Sequence, residues 1–209
     1  SSRKGSIKRE GGNFLLSPVV KVSVRHVHLC RAHIDVLFGP GYQLTNRRWL
    51  SESKAEFAAE ERVILEGPKG RMERVGIIGP ERSYTQVELS VSDMRLMGVD
   101  APIRLSGDLK DTPGIRIIGP AGTVELESGV IAAHRHLHIS MADAQQYHIR
   151  QHQAVSVRVD TPVRPLIFEN VICCITMIPT LNPPAMMHID TDEANAAGIT
   201  GTLYGEVRL

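Results

Sequence analysis

Two His-x-His pairs are the residues of this chain whose type and spacing most directly indicate chemistry. The first pair is His26 and His28, and the second is His136 and His138. On a β-strand, side chains at i and i+2 share one face with roughly 7 Å between their Cα atoms, so each pair can converge on one metal ion. A single pair would equally suit two polar residues at a strand end, but both pairs follow an arginine and lead into a short helix-like stretch. We therefore predict divalent-metal binding, with zinc preferred because imidazole and carboxylate ligands suit it.

Each pair needs a third ligand to form a zinc site with an open position, and two residues further along the chain can supply one. Glu88 lies in the alternating segment 85–90, where its carboxylate either faces solvent or joins the first pair. His188 follows an apolar stretch and precedes a helix-like segment, so it suits either a core histidine or a ligand to the second pair. His134 would share a strand face with the second pair, but a surface or supporting position is favoured for it.

Two loop positions offer groups that bind anions. Arg82 follows the Gly79-Pro80 turn, and a guanidinium can grip phosphate through two parallel hydrogen bonds. Ser106, followed by Gly107, can present a hydroxyl and backbone N–H groups to the same kind of ligand. Taken alone, each position also suits a solvated surface group. An anion site would not be needed if the metal served only as a structural staple.

Composition argues against several other classes of protein. The 24 Lys and Arg residues nearly balance the 23 Asp and Glu residues, whereas a dedicated nucleic-acid-binding protein usually has a strong basic excess. No apolar run approaches the roughly 18–20 residues of a membrane helix, and the polar, basic start shows no signal peptide. The three cysteines, Cys30, Cys173 and Cys174, do not form a disulfide framework, which favours a reducing compartment. We expect neither a nucleic-acid nor a membrane partner.

Short β-branched runs, several of them bounded by Gly-Pro turns, are the elements available to position these side chains. Such runs occupy residues 19–24, 62–66, 75–78, 86–89, 115–118, 123–126, 154–159 and 165–175. Helix-like stretches are brief and occupy residues 31–38, 92–97, 140–148 and 190–197. Two of them open with capping-box spacing, at Ser140 and Asp143 and at Asp190 and Glu193. Many short strands at close spacing favour a small barrel or sandwich over a doubly wound sheet.

Parts of the chain repeat one another. The segment around the second His-x-His pair repeats the pattern of the segment around the first, and a weaker third repeat surrounds His188. We therefore predict a mainly β protein of two tandem small β-barrels capped by short α-helices. The predicted parts are a flexible N-terminal tail at 1–17, a first barrel at 18–130 and a second barrel at 131–209. The strand near 19–25 is free to pair with the second barrel.

Six strings, spread in order over residues 19–207, resemble the PduL-type phosphotransacylases, or phosphate propanoyltransferases. They are Val22-Ser-Val-Arg-His-Val-His-Leu29, Leu37-Phe-Gly39, Thr85-Gln-Val-Glu-Leu-Ser90, Ala101-Pro-Ile-Arg-Leu-Ser-Gly-Asp108, Arg135-His-Leu-His138 and His188-Ile-Asp-Thr-Asp-Glu-Ala-Asn-Ala196. Six strings in the right order are far more specific than one His-x-His pair. Cys30 stands where the family usually has a helix-capping serine, which affects only that cap.

The resemblance implies two zinc ions per chain, with the active site between the two barrels. In the family pattern the first zinc is held by His26, His28 and Glu88, and the second by His136, His138 and His188. Arg82 resembles the family's phosphate-contacting arginine, and Ser106 resembles a residue on the phosphate or CoA side.

The resemblance further implies a reaction that interconverts acyl-CoA plus phosphate with acyl phosphate plus free CoA. The acyl donor would be propanoyl-CoA or acetyl-CoA. Phosphate would attack the thioester carbonyl directly, since no protein nucleophile is required. A dizinc thioester hydrolase and a non-catalytic metal-stapled barrel protein are the alternative interpretations.

Expectations about assembly and location also follow. We expect a homo-oligomer, because an exposed barrel edge or the apolar pair Met186 and Met187 could support assembly. Enzymes of this kind often work inside bacterial microcompartments, so microcompartment shell or core proteins are candidate partners. The microcompartment lumen or the cytoplasm is the expected location. The N-terminal segment that directs encapsulation is not identified, because residues 1–13 are too few and too polar.

Overall fold

The structure of the chain is a computed structural model that describes residues 16–51, 53–176 and 183–209. The predicted N-terminal tail lies outside the described residues except for residues 16 and 17. Within the described ranges, no helix combines the length and the apolar character that crossing a bilayer requires.

Short strands dominate the described residues, and four short helices accompany them. The strands are β1 Val19–Ser23, β2 His26–His28, β3 Asn46–Trp49, β4 Phe57–Glu66, β5 Arg71–Gly79, β6 Gln86–Glu88, β7 Ile103–Arg104, β8 Ile115–Ile118, β9 Thr123–Leu126, β10 Val130–Ala133, β11 His136–Ser140, β12 Ala154–Val159, β13 Leu166–Thr176, β14 Met186–Asp190, β15 Leu203–Tyr204 and β16 Glu206–Arg208. The helices are α1 Arg31–Phe38, α2 Val91–Met97, α3 Met141–Gln146 and α4 Thr191–Ala197.

The chain divides into two compact units. The central unit comprises Val24–Ala133, and the terminal unit joins the segment that ends at Ser23 to His134–Leu209. Each unit has its own sheet and its own cluster of buried apolar side chains. The domain limits predicted from the sequence, 18–130 and 131–209, stay a prediction.

The sheet of the central unit has nine strands. Their order is β7-β10-β6-β2-β5-β4-β8-β9, with β3 paired to β4 outside this path. Along β5, Val75 and Ile77 are buried while the residues between and before them are more exposed, which is the period-two pattern of a half-buried strand. The short strand β2 lies between β5 and β6, and its central residue Val27 is fully buried. The two histidines of β2 are therefore held by sheet pairing on both sides.

The sheet of the terminal unit has seven strands in the order β15-β1-β14-β11-β13-β12-β16. Its two edge strands, β15 and β16, are separated in the chain by Gly205 alone, so the sheet must curl round on itself. Strand β1 pairs in parallel with β14, which ties the start of the described chain to this sheet. The two sheets comprise one nearly closed barrel-like sheet and one half-barrel sheet, and the predicted mainly β fold with short helices is confirmed.

Side chains at the helix starts explain where three of the helices begin. Ser90 with Asp93 and Asp190 with Glu193 form complete capping boxes at α2 and α4. At α3, Ser140 Oγ accepts the N–H of Asp143 but also donates to the Asp143 carboxylate, so only half of the predicted capping box forms. The helices α2 and α4 both end at a glycine in the left-handed conformation, Gly98 and Gly198.

Several elements differ from the sequence-based prediction. The helix predicted at 140–148 ends at Gln146, and strands β3, β7, β10, β15 and β16 were not predicted. All four residues of β3 are exposed, so this strand has no alternation of apolar and polar residues that could reveal it. Met187 is fully buried, so the prediction that Met186 and Met187 form an apolar surface for assembly is wrong.

Candidate metal centres and anion-binding site

Strands β2 and β6 bring His26, His28 and Glu88 together in the central unit. The strands are antiparallel, with His26 opposite Glu88 and His28 opposite Gln86. His26 Nε2 lies 3.4 Å from Glu88 Oε2, and His28 Nε2 lies 3.7 Å from Glu88 Oε1. One ligand atom from each of the three residues lies within 4.8 Å of the other two. Two imidazoles and one carboxylate at this spacing form a donor set that suits zinc.

The hydrogen bond of His26 also fits a metal site, and no hydrogen bond of His28 Nδ1 in the described part of the chain opposes one. His26 Nδ1 lies 2.8 Å from the carbonyl oxygen of Val24. An N–H donated there leaves Nε2, the nitrogen that faces Glu88, as the ligand atom. His28 Nδ1 is buried and has no hydrogen-bond partner among the described residues, so hydrogen bonding does not fix its tautomer. Both rings can therefore present a neutral ligand nitrogen to an ion beside the carboxylate.

The charges of the three side chains depend on one another. Burial opposes ionisation of Glu88, but the neighbouring His26 and His28 hold the pKa of its carboxyl well below the usual range. Burial likewise opposes protonation of His26, but the charge of Glu88 outweighs it and raises the pKa of that imidazole. Burial is the main cause of the lowered pKa of His28. Glu88 is thus an anion at neutral pH, which is the state that binds a cation.

A second cluster of three imidazoles lies in the terminal unit. Strands β11 and β14 are antiparallel and place His136 opposite His188. The ring centroids of His136 and His138 are 4.8 Å apart, and those of His188 lie 5.1 Å from His136 and 5.2 Å from His138. His136 Nδ1 lies 2.9 Å from the carbonyl oxygen of His134, as His26 does with Val24. This cluster could hold a second metal ion by the same strand geometry.

An arginine–carboxylate ion pair accompanies each of the two clusters. Arg25, which precedes the first pair, places two nitrogens 2.6 and 2.9 Å from the carboxylate oxygens of Asp93. Arg135, which precedes the second pair, lies 3.0 Å from Glu193. Asp93 and Glu193 are the capping-box residues of the helices that follow Glu88 and His188. In each unit, an arginine on the His-x-His segment thus forms an ion pair with the helix that follows the third candidate ligand.

Arg82 and Ser106 meet in the central unit. Arg82 Nη1 donates to Ser106 Oγ at 3.0 Å, and its Nη2 lies 2.7 Å from Glu56 Oε1. The backbone of Arg82 forms a β-bridge with Cys30, two residues after the strand that carries the first pair. Glu56 was not singled out from the sequence, because an acidic residue in a polar stretch carries no pattern of its own.

Gln86 is the second residue that sequence reasoning missed. Its amide donates to Glu88 Oε1 at 2.7 Å and to Ser106 Oγ at 2.9 Å, so it joins the first cluster to the anion-binding pair. A signal for it existed, since Gln86 and Glu88 are two residues apart on a predicted strand and must share a face.

The remaining candidates serve other contacts. His134 bonds through Nδ1 to the carbonyl of Arg135 and through Nε2 to Asn170, which fits the favoured supporting or surface position. Cys30 is the N-cap residue of α1 and makes no side-chain capping bond. Cys173 is fully buried, as expected of a core thiol, and burial raises its pKa to about 11.

Comparison of the sequence with known proteins shows the family of this chain. The sequence profile of the phosphate propanoyltransferase family matches residues 19–200. A phosphate propanoyltransferase of Enterococcus faecalis is 46% identical over 188 residues, which is 90% of this chain and 86% of the relative. Phosphate propanoyltransferases of Thermotoga maritima and Salmonella typhimurium are each 46% identical, over 88% and 85% of this chain and 86% and 81% of the relatives. The chain therefore belongs to the phosphate propanoyltransferase family and is an acyltransferase.

Proposed function

We propose that this acyltransferase interconverts acyl-CoA plus phosphate with acyl phosphate plus CoA, using propanoyl-CoA or acetyl-CoA. The family supports the class of reaction, and the relatives named above are propanoyltransferases. The observation that carries the proposal is a continuous chain of contacts from a metal-ligand set to an anion-binding arginine. It runs from Glu88 through Gln86 and Ser106 to Arg82.

We assign zinc as the resident ion, held by His26, His28 and Glu88 in the central unit and by His136, His138 and His188 in the terminal unit. When bound, zinc supplies positive charge that stabilises a thiolate leaving group and an oxyanion. The donor set of the central unit, two imidazoles and an ionised carboxylate, favours such an ion over a soft-metal site built from thiolates.

Arg82 and Ser106 bind the phosphate in this proposal. The guanidinium carries a permanent charge and can hold two phosphate oxygens at once. Glu56 occupies one of its nitrogens in the structure, so phosphate competes with a carboxylate for Arg82.

The reaction then needs no protein nucleophile. A phosphate oxygen forms a bond to the thioester carbonyl carbon, the carbon–sulfur bond breaks, and the CoA sulfur leaves as a thiolate. A thiol with an ordinary pKa of about 8.5 is a fair leaving group. Holding the two reactants in attack geometry contributes up to roughly 7–11 kcal/mol to lowering the barrier. The residues named here orient the phosphate and offset its charge.

Phosphate-dependent release of CoA tests the proposal. The zinc-loaded protein is mixed with propanoyl-CoA or acetyl-CoA, and free thiol is followed with and without phosphate. We expect release only with phosphate, its loss after treatment with a zinc chelator and its return when zinc is added back. Equal release without phosphate would instead identify a thioester hydrolase.

A further inference from the structure

Gln86 is a buried polar residue whose amide bonds entirely to groups of the proposed site. Its side chain has no exposed surface. Its Nε2 donates to Glu88 Oε1 at 2.7 Å and to Ser106 Oγ at 2.9 Å. Its Oε1 accepts the backbone N–H of Gly107 at 2.8 Å. A buried amide is costly without partners, so these three bonds hold the side chain in one orientation.

The fold alone does not require an amide at this position. In the central unit, Gln86 stands opposite His28 in the strand pairing, two residues before the third candidate ligand. In the terminal unit, the same register place, opposite His138 and two residues before His188, is taken by Met186. The equivalent strand pairing of the terminal unit thus forms with an apolar side chain of similar length at this place. What distinguishes Gln86 is the set of groups that it joins.

The bonds of Gln86 also determine how Ser106 can act. Ser106 Oγ accepts from Gln86 Nε2 and from Arg82 Nη1. A hydroxyl has two acceptor lone pairs and one donor hydrogen, so with both lone pairs engaged its hydrogen is left to donate. Ser106 is exposed, and the next residue, Gly107, has a φ of 93°, a conformation that favours glycine. Gln86 therefore fixes a turn whose hydroxyl can only offer a hydrogen to an approaching acceptor.

We propose that Gln86 is a positioning residue that couples zinc binding at Glu88 to phosphate binding at Ser106 and Arg82. The amide holds Glu88 Oε1 and so orients the carboxylate toward the two imidazoles. The same amide holds the Ser106–Gly107 turn where the hydroxyl can donate to phosphate. The inference rests on the proposed function, since it takes zinc and phosphate as the ligands of these groups.

Direct binding measurements on the Gln86→Met variant test this inference. Methionine reproduces the side chain found at the matching place of the terminal unit, and Gln146→Met makes the same change on the exposed surface of α3 as a control. Zinc is titrated into the metal-free proteins in competition with a coloured chelator. Supporting groups of metal ligands typically contribute roughly 10–100-fold in affinity. We expect a loss of that size at one of two zinc sites in Gln86→Met, and none in Gln146→Met.

Phosphate binding to the zinc-loaded proteins, measured by calorimetry, tests the other half of the coupling. We expect weaker phosphate binding in Gln86→Met and in Ser106→Ala, and a double variant little weaker than either alone, because both changes break the same contact chain. Unchanged zinc and phosphate affinities in a folded Gln86→Met protein would overturn the inference and leave Gln86 a packing residue. Should that variant not fold, Gln86→Asn keeps an amide but withdraws it from its partners, and the same losses are expected.

Neither binding experiment depends on turnover, so the two proposals can fail separately. Wild-type protein that binds zinc and phosphate but releases no CoA would contradict the proposed function while the comparison of variants still decides the role of Gln86. If the wild-type protein has the expected activity and the Gln86→Met variant keeps its zinc and phosphate affinities, only the role of Gln86 is contradicted.

Discussion

At Glu88, burial and the neighbouring imidazoles shift the pKa of the carboxyl in opposite directions. Its side chain is 13% exposed, yet its carboxyl has a pKa well below the usual range because two imidazoles flank it. The Gln86 amide adds a hydrogen bond to the same carboxylate. A buried anion held by neutral or partly charged donors is the arrangement that a cation stabilises further. The charge of Glu88 is therefore the feature of the first cluster that metal binding should need most.

The Glu88→Gln variant tests this requirement. Glutamine keeps the size of the side chain and removes its charge, so we expect zinc binding at one site to weaken by more than roughly tenfold. Phosphate-dependent CoA release should fall with it. Zinc titration and the thiol assay measure the two effects. Glu125→Gln, a change at an exposed ion pair with Arg116, is the matched control. Full affinity at both sites in Glu88→Gln would remove Glu88 from the ligand set.

The sequence predicted the candidate metal ligands better than it predicted the residues that hydrogen-bond to the site. The spacing of each His-x-His pair indicated four ligands, whereas Glu88 and His188 were candidates that only the family resemblance assigned to the two sets. The structure brings the six side chains together as two clusters of three. Glu56 and Gln86 were not found, since a hydrogen-bond partner outside a motif depends on packing that spacing does not encode.

One element is built twice in this chain. In each unit a His-x-His strand pairs with a strand that carries the third candidate ligand. This second strand leads into a helix that begins with a capping box. An arginine before the histidines binds the capping carboxylate of that helix. The sequence predicted the repeat and all four helices, because caps and apolar periodicity are local signals. It missed five short strands, β3, β7, β10, β15 and β16, whose pairing depends on distant parts of the chain.

The pairing of Arg25 with Asp93 predicts unequal effects of its two partners on stability. Asp93 is almost fully buried, with 4% of its side chain exposed, whereas Arg25 is 45% exposed. Arg25→Met leaves a buried carboxylate without its counter-charge, and we expect it to lower the free energy of unfolding by about 2 kcal/mol. Asp93→Asn keeps the cap and leaves an arginine that water can solvate, so about 1 kcal/mol is expected. Denaturant unfolding measures both, and a neutral Arg25→Met variant would refute the asymmetry.

The whole molecule consists of two compact units, each with its own core and its own histidine cluster. The structure shows the fold class, and family membership shows the type of enzyme. A homo-oligomer and an association with microcompartment proteins stay predictions, and the methionine pair first used to support assembly is partly in the core. Surface partners leave few marks in a sequence, since any exposed residue is compatible with solvent alone.

Direct transfer makes a prediction about the kinetics of the intact enzyme. Both substrates must be bound before the acyl group moves, because no residue carries it in between. Initial rates at varied phosphate and several fixed concentrations of propanoyl-CoA should give intersecting double-reciprocal lines. Parallel lines, or an acyl group trapped on the protein, would show a covalent enzyme intermediate and contradict direct attack.

We propose that the duplicated strand pairs form two zinc centres, and anomalous diffraction at the zinc absorption edge can locate both ions. Crystals grown from zinc-loaded protein should show two anomalous peaks per chain. One should lie about 2.0–2.2 Å from donor atoms of His26, His28 and Glu88, and the other at the same distance from the imidazoles of His136, His138 and His188. Crystals without a peak at either triad, with the imidazoles directed apart, would show that these strands do not bind zinc.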